Sequence, residues 1–423
     1  MSSRTHLSRF RSVGVAAGVG ATLAALAACG SSSSSSSSSS ATADPVTLTM
    51  YMWTSSQEEV DAWESVADLV TEEYPEITIE FQTADWANYW TKLVADVSGG
   101  TDLCIVGVQS LRIPGVSDLL VPLDDAMTDT GIDAADFDSS ILEAMQVDGE
   151  QLGIPYDYGP LMMYYNKDLF AAAGVAEPEL DWTVDDFEAA IEAISATGTY
   201  GTIVYPNADY TEPWALNLGG VQAVDSDGEL AVTDPDYVSS METIASWVSA
   251  GYAPEVPAGA GWALDQFNSG NVATAVDGPW NLINTNASAD FEVGIAPVPA
   301  GDGGQSTVTE GSGFGIAQSC QNQDEAAKAL SVITGADAAE QLATAGRAFP
   351  ARIAQQDYWY ANVDDATKEA MEYAIDHTEA QRTTENWTSV VDAFTQYGVD
   401  ALNGNGTVAD FLDQVQSTAG SGS

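Results

Sequence analysis

Alternating apolar and polar positions predict that the chain after residue 45 opens with strands and helices in turn. The segment 46–52 alternates and is rich in β-favouring residues, so we expect a strand there. Ser56 and Glu59 have the spacing of a capping box, which predicts a helix that Pro75 ends. Apolar residues at every second position from Ile77 predict the next strand.

The same alternation of element types continues in the following segment. Helical periodicity runs to the Gly99-Gly100 pair, and 103–108 has the apolar character of a buried strand. A strand–helix–strand–helix–strand order produces parallel pairing, so the pattern predicts an α/β fold. Ligand sites in such folds lie beyond the carboxyl ends of the strands.

Later segments repeat these signals. Residues 161–165 are strand-like, and Gly174 is a natural end for a helix over 166–173. Thr183, with Asp186 three residues later, predicts the start of another helix. The helices predicted near the C terminus are 388–401 and 408–416.

Length and charge restrict the class of protein. A chain of 423 residues suggests two domains, and its 45% of apolar residues can form complete cores. Its 63 acidic residues against 11 basic ones give a net charge of −52. Such a surface repels phosphate backbones and anionic lipid heads, so binding to nucleic acid is not expected.

The first residues have the pattern of an export signal. Three arginines precede the apolar stretch 13–25, which is short and rich in Gly and Ala. The stretch ends in Leu26-Ala27-Ala28-Cys29, which looks like a bacterial lipobox. We therefore predict a signal peptide at 1–28 and a lipid on Cys29 that anchors the protein to the cell membrane from outside the cytoplasm. The alternative is an ordinary signal peptidase site with an incidental cysteine.

A low-complexity segment follows the predicted anchor. Ser31 to Ser40 is an unbroken serine run with nothing to bury, so residues 29–43 are predicted to be a flexible tether. The remaining cysteines are Cys104 and Cys320. Export permits a disulfide between them, and two separate buried cysteines fit the sequence equally well.

Several stretches of the mature chain follow, in order, the motifs of a known family. They are Tyr164–Phe170 (YYNKDLF), Asp181–Phe187 (DWTVDDF), Phe267–Trp280, Val293–Pro299 and Gly311–Ile316. In this order they resemble extracellular solute-binding protein family 1, the maltose-binding-protein-like lipoproteins of carbohydrate ABC importers. The likeness extends over nearly all of the mature chain.

This resemblance implies an α/β fold of the two-lobed periplasmic-binding-protein type (type II), with a hinge and an interlobe cleft. The chain would cross between the lobes near Pro155, Gly311 and Ala351. Closure of such lobes around a ligand is a standard hinge motion. The expected lobes are 44–155 plus 312–352 at the N-terminal side and 156–311 plus 353–423 at the C-terminal side.

A sugar site needs flat rings for the C–H faces and side chains that exchange hydrogen bonds with hydroxyls. Glu212, Pro213 and Trp214 resemble an element of the family in which the carboxylate takes sugar hydroxyls and the ring stacks beneath. Asp277 and Trp280, in the Asp-Gly-Pro-Trp stretch, resemble a second stacking platform. We expect both tryptophans in loops, where an aromatic residue beside Pro is more often exposed.

The ends of strands and the crossings between lobes supply the other candidates. Trp53 and Ser55 follow the first strand and Gln109 follows the third, so their side chains are expected at the cleft. Val391 stands where the family has a stacking Trp, and Trp387, one turn earlier, is expected to replace it. The candidates at the crossings are Asp157, Tyr158, Glu310, Ser312, Phe349 and Arg352.

The resemblance implies a binding protein that takes a sugar or oligosaccharide and delivers it to the transmembrane permease subunits of an ABC importer. We expect no enzymatic activity, no cofactor and no metal. Residues 225–228 predict a hairpin turn, because the further oxygen ligands of a calcium loop are missing. Contact with the membrane is expected through the lipid anchor only.

Two other classes of function stay open. Carboxylates and an aromatic cage would also hold a cationic small solute such as a polyamine. Paired carboxylates with stacked rings also describe glycoside hydrolases, although the sequence carries no nucleophile elbow and no zinc motif.

Overall fold

The structure is a computed structural model that describes residues 44–54, 56–258 and 263–420. The predicted signal peptide, the tether, the lipidation site Cys29 and the candidate Ser55 lie outside the described residues. Within the described ranges, none of the helices combines the length and the apolar character that crossing a membrane requires.

The strands are short and spread along the whole described chain. They are β1 (Val46–Trp53), β2 (Ile77–Ala84), β3 (Ile105–Gln109), β4 (Gln146–Val147), β5 (Glu150–Gln151), β6 (Ile154–Pro155), β7 (Gly159–Pro160), β8 (Met162–Asn166), β9 (Thr274–Asp277), β10 (Val293–Ala296), β11 (Thr307–Glu310), β12 (Ser312–Ile316) and β13 (Thr378–Ala380).

Helices fill most of the connections. They are α1 (Gln57–Glu73), α2 (Trp86–Ser98), α3 (Asp124–Thr130), α4 (Ser139–Glu143), α5 (Lys167–Ala173), α6 (Val184–Ser195), α7 (Ala208–Gly219), α8 (Pro235–Ser249), α9 (Ala263–Asn268), α10 (Leu282–Ser288), α11 (Gln323–Ile333), α12 (Ala336–Thr344), α13 (Gln356–Tyr360), α14 (Asp365–Ile375), α15 (Trp387–Leu402) and α16 (Val408–Ala419). Short 3-10 helices lie at Pro114–Leu119, Ala134–Asp136, Pro279–Asn281 and Ile353–Gln355.

A five-stranded sheet organises the first part of the chain. Its strand order is β2-β1-β3-β12-β6. β1 pairs in parallel with β2 and β3, as the strand–helix–strand order predicts, and β12 pairs antiparallel with β3 and β6. The predicted α/β class is confirmed.

Two three-stranded sheets lie elsewhere in the chain. One has the order β10-β8-β9 and is antiparallel throughout. The other has the order β13-β11-β7, in which β11 pairs in parallel with β13 and antiparallel with β7. β4 and β5 form a separate two-stranded ribbon.

Two connections lead directly from the five-stranded sheet to a three-stranded one. Residues 156–158 separate β6 from β7, and Gly311 alone separates β11 from β12. A Cβ atom at position 311 would lie 2.6 Å from the backbone carbonyl oxygen of Asp157, so the two connections run side by side at a distance that only glycine permits. The lobe boundaries expected at 155 and 311 fall at these connections, and the full set of boundaries stays a prediction.

Two large apolar cores stabilise the molecule. The first includes Trp63 of α1, whose ring lies 5.1 Å from the ring of Phe314 in β12. The second includes Phe187 of α6, which packs 5.1 Å from Trp247 of α8. Burial of each such ring contributes about 1.5–3 kcal/mol, so the helices are held mainly by these packed faces.

Local signals at helix ends are confirmed. Ser56 Oγ accepts a hydrogen bond from the Glu59 amide at 3.2 Å. Thr183 and Asp186 make both hydrogen bonds of the predicted capping box, and Gly174 ends α5 with a φ of 68°. The turn predicted at 225–228 is also present, closed by a hydrogen bond from the Gly228 amide to the Asp225 carbonyl.

The expectation that Trp214 lies in a loop is wrong. Glu212, Pro213 and Trp214 are all in the interior of α7. Proline removes one helical hydrogen bond and usually ends a helix, which is why the sequence favours a loop here.

Cys104 and Cys320 form a disulfide, so of the two alternatives the bonded one is correct. The bond joins the residue before β3 to a residue after β12, and these two strands are neighbours in the five-stranded sheet. Although 216 positions separate the cysteines in sequence, their Cα atoms are 4.4 Å apart.

Candidate functional site

A cleft of about 1490 Å³ collects side chains from the ends of several elements. Trp53 and Thr54 reach it from the carboxyl end of β1, and Gln109 reaches it from the end of β3. This is the edge of the sheet where an α/β fold is expected to place a ligand. Its volume exceeds the roughly 300–1,000 Å³ of most small-molecule pockets, so it has room for an extended ligand.

Eight of the predicted binding residues line this cleft. They are Trp53, Gln109, Asp157, Trp214, Asp277, Trp280, Glu310 and Ser312. The fold therefore brings together residues that are up to 259 positions apart in sequence, from Trp53 to Ser312.

A cluster of indole rings forms one wall. The ring of Trp53 lies 5.0 Å from that of Trp86 and 5.5 Å from that of Trp90. The guanidinium of Arg112 lies 4.9 Å from the centre of the Trp86 ring, which is 39% exposed. A cation over an indole face is a favourable contact that also fixes the position of the ring.

Trp86 and Arg112 are functional candidates that the sequence reasoning missed. Trp86 begins α2 two residues after β2 ends, so the strand-end rule that selected Trp53 also applies to it. Arg112 carried a weaker signal, as one of the few arginines of the mature chain and one that follows β3 closely.

Trp280 also lines the cleft. It belongs to the 3-10 helix Pro279–Asn281, is half-buried, and packs with Tyr210 against Leu161, Leu216 and Val308. Its ring folds back over Gly278, where a Cβ atom would lie 2.1 Å from a ring carbon. The glycine thus allows the close approach that orients the indole.

Trp214 has little surface in the cleft. Its side chain is 5% exposed and its ring lies 4.8 Å from that of Trp247 and 5.0 Å from that of Phe187. Most of this indole is part of the second core, so its main contribution is to packing.

Buried carboxyl groups also line the cleft. Asp157 accepts a hydrogen bond from the Ser312 amide at 2.7 Å, and burial raises the pKa of Asp157 to about 7. Asp277 accepts hydrogen bonds from the Gly278 amide at 2.7 Å and from the Asn281 side chain at 3.1 Å, and burial raises its pKa to about 7 as well. Both groups can therefore change protonation near neutral pH.

Two ion pairs border the cleft. Arg112 pairs with Asp209 at 3.5 Å and also donates a hydrogen bond to Oε1 of Gln109, while Arg347 pairs with Glu59 at 2.6 Å. The first pair joins the segment after β3 to the first turn of α7, and both partners are buried. Its two charges neutralise each other, which reduces the cost of burying them.

The remaining predicted residues that lie within the described ranges do not line the cleft. Trp387 is fully buried and donates a hydrogen bond from Nε1 to Asp209 Oδ1 at 2.7 Å, so it supports Asp209 rather than facing a ligand. Glu212 has no exposed surface, accepts a hydrogen bond from the Ala223 amide at 2.7 Å, and has a pKa raised by burial to about 8. Its expected role as an acceptor for ligand hydroxyls does not fit this position.

Three residues near the expected crossings are also structural. Tyr158 donates its hydroxyl to Asp138 at 3.2 Å, and the ring of Phe349 packs 5.3 Å from that of Trp359. Arg352 donates hydrogen bonds to the Thr334 carbonyl and the Asp136 carboxylate. Their position in sequence near an expected crossing therefore did not bring their side chains into the cleft lining.

Comparison with known proteins gives consistent matches. The family model for "Bacterial extracellular solute-binding protein" matches residues 54–340. The chain is 26% identical over 270 residues to the arabinooligosaccharide-binding protein of Halalkalibacterium halodurans, a match that covers 60% of each chain. It is 22% identical over 358 residues to the diacetylchitobiose-binding protein of Streptomyces coelicolor, covering 82% of this chain and 83% of the other.

A solved structure shows the same architecture. The ABC substrate-binding protein from Listeria monocytogenes in complex with cycloalternan superposes with a TM-score of 0.79 at 21% identity. The match covers 89% of this chain and 99% of that one. At this level of identity the likeness concerns the fold, and it confirms the expected two-lobed α/β architecture.

Proposed function

The chain belongs to the family of bacterial extracellular solute-binding proteins, and from that premise we propose that it binds a sugar or oligosaccharide in its cleft. The relatives named for arabinooligosaccharide and diacetylchitobiose support a carbohydrate ligand. The observation that carries the proposal is a large cleft that is lined both by partly exposed indole rings and by buried carboxyl groups.

Such a lining matches the two kinds of surface that a sugar presents. The rings of Trp53, Trp86 and Trp280 would stack on C–H faces, and each stacked ring removes apolar surface from water. Asp157 and Asp277 would exchange hydrogen bonds with hydroxyl groups. The further proposed ligand contacts are Gln109, Glu310, Ser312 and, at the edge of the core, Trp214.

Closure of the two lobes over the ligand would be the signal that a transporter recognises. We place the lobe boundaries at 155/156, 311/312 and 352/353, where the first two fall at the paired connections around Gly311. The ion pair between Arg112 and Asp209 would stabilise the closed arrangement. Arg112 follows β3, which packs in the first core, and Asp209 belongs to α7, which packs in the second.

Family membership places the protein outside the cytoplasm. We propose that a lipid on Cys29 holds it at the cell membrane and that the segment 29–43 lets it reach the permease subunits of an ABC importer. We also propose that it has no catalytic activity, since carrier function requires the ligand to leave unchanged.

Titration calorimetry with a panel of mono- and oligosaccharides tests this function. We expect saturable binding of at least one sugar, and Trp280→Ala should weaken it by about 1–3 kcal/mol through lost stacking and burial. Thermal unfolding should change less than on truncation of a fully buried indole, because the Trp280 side chain is only partly buried. Saturable binding that Trp280→Ala leaves untouched would remove this ring from the site.

Product analysis after long incubation separates a carrier from a hydrolase. The bound oligosaccharide should be recovered intact when the protein is present at the concentration used to assay a hydrolase. Release of shorter sugars by the purified protein, abolished in Asp157→Asn or Asp277→Asn, would instead favour hydrolysis by the buried carboxyl groups.

A further inference from the structure

Glu310 is a buried carboxyl group in the cleft wall that lacks a full set of hydrogen-bond partners. It ends β11, is 6% exposed, and lines the cleft. Its Oε1 atom has no hydrogen-bond partner among the described residues. Burial of an unpaired carboxyl oxygen is costly, so this position is stabilised when a donor arrives from a ligand.

The charges around Glu310 are predominantly negative. Asp209 and Asp277 raise its pKa, in addition to the larger effect of burial, and Arg112 lowers it. Arg112 is already paired with Asp209 and hydrogen-bonded to Gln109, so its charge is shared. Among the described residues, eight acidic side chains and two basic ones line the cleft, and the second basic one, Arg347, is paired with Glu59.

Two aromatic rings border the same region. Tyr210 and Trp280 pack against one small apolar cluster, and the hydroxyl of Tyr210 has its pKa raised by burial and by Asp277, Glu310 and Asp209. Aromatic faces beside carboxylates are the surroundings in which proteins bind ammonium groups.

The spacing of these carboxylates does not suit a metal ion. Among the described residues, the only group of three whose ligand atoms lie within 4.8 Å of one another is Asp102, Cys104 and Cys320. The two cysteines are bonded to each other, and none of the three residues lines the cleft. The carboxyl groups around Glu310 therefore suit a charged group of an organic ligand better than they suit a metal ion.

Building on the proposed sugar-binding function, we propose that this region is a subsite for a protonated amine and that the ligand is an amino sugar. Its ammonium group would donate to Glu310 beside Asp277, with the pyranose ring stacked on Trp280. The hydroxyl of a neutral sugar satisfies one hydrogen bond but does not stabilise the ionised form of Glu310, which burial and the acidic neighbours disfavour. An ammonium supplies both the donor and the compensating charge, and charge-assisted hydrogen bonds are about twice as strong as neutral ones.

Matched pairs of sugars test this inference by calorimetry at pH 7 and low salt. The pairs are glucose with glucosamine, mannose with mannosamine, galactose with galactosamine, and cellobiose with the β-1,4-linked glucosamine disaccharide. We expect the amine of at least one pair to bind ten-fold or more tightly than its hydroxyl counterpart. The N-acetylated forms, which have the same skeleton without the charge, should lose that advantage.

Glu310→Gln tests the residue. It keeps the shape and removes the charge, so it should lower the affinity for the amino sugar at least ten-fold more than it lowers the affinity for the neutral partner. Asp277→Asn should act in the same direction and serves if Glu310→Gln does not fold. Glu369→Gln, which removes one charge from an exposed position of α14 outside the cleft lining, is the matched control and should not alter the preference.

A coupled proton measurement adds a second readout. Because Glu310 has a raised pKa when the cleft holds no cation, binding an amino sugar should release protons from the protein, which calorimetry in two buffers of different ionisation enthalpy detects. Neutral sugars should release fewer protons, and Glu310→Gln should remove the difference.

The outcomes separate the two proposals. Neutral sugars that bind as tightly as their amino counterparts, or more tightly, would overturn the amine subsite and leave sugar binding intact. Binding of spermidine without binding of any sugar would overturn both, since the ligand would then be a cationic solute of another class.

Discussion

At the scale of single residues, the depth of a side chain decides its role more than its type does. Trp214 and Trp280 both stand beside proline in motif-like stretches, and both reach the cleft. One is part of a helix inside the second core, and the other lies on a 3-10 helix with its ring over a glycine. Equivalent substitutions at these two positions should therefore affect different properties.

Trp214→Ala should reduce the stability of the fold. Its ring packs against Phe187 and Trp247, so truncation leaves a cavity and should lower the free energy of unfolding by about 3–5 kcal/mol. Denaturant unfolding measures this, with Trp214→Phe as the milder comparison. If Trp214→Ala were as stable as the native protein, the packing role assigned to this ring would be wrong.

Sequence reasoning about single residues succeeded where position along an element decides exposure. Trp53 and Gln109 were placed at the cleft by the strand-end rule alone. Glu212 and Trp387 were not, because their orientation depends on how α7 and α15 pack against other elements. No local pattern encodes that packing.

At the scale of elements, local signals predicted what is local. The capping residues Ser56 and Thr183 and the terminal Gly174 were correct because each acts through hydrogen bonds or φ values within one turn. The sheet of β13, β11 and β7 was not predicted, since it pairs Gly159 with Glu310 and Thr307 with Thr378. Pairing over such distances leaves no periodicity in the sequence.

The disulfide provides a test at this scale. Replacing both Cys104 and Cys320 by serine should lower the free energy of unfolding by about 2–5 kcal/mol, because the bond restricts the unfolded chain over a long loop. Reducing agent should destabilise the native protein by a similar amount and should not affect the double variant. Equal stability of the native protein and the double variant, each with and without reducing agent, would show that β3 and β12 hold together without the bond.

At the scale of the whole molecule, buried acids make stability depend on pH. Burial raises the pKa of Asp157 and Asp277 to about 7 and that of Glu212 to about 8. Between about pH 4 and these values, the folded state keeps protons that the unfolded state has lost. Stability conferred by those protons is present at low pH and is lost as the pH rises through the pKa values of the folded state.

The protein should therefore be more stable at pH 5 than at pH 8, by a few kcal/mol in total. Thermal unfolding across this range measures the difference, and Asp277→Asn should make the dependence less steep. Repulsion among surface carboxylates acts in the same direction, so the series is repeated in 1 M NaCl, which screens exposed charges more than buried ones. A dependence that vanishes completely in high salt would assign the effect to the surface.

The position of β12 in the first sheet sets the order in which the newly made polypeptide can fold. This strand lies between β3 and β6, yet it is encoded about 200 residues after β3. Until residues 312–316 are available for pairing, one edge of β3 has no neighbour, and an open strand edge invites pairing with other molecules. The first sheet thus stays incomplete until three quarters of the chain can take part in folding, although its first three strands lie within the first 109 residues.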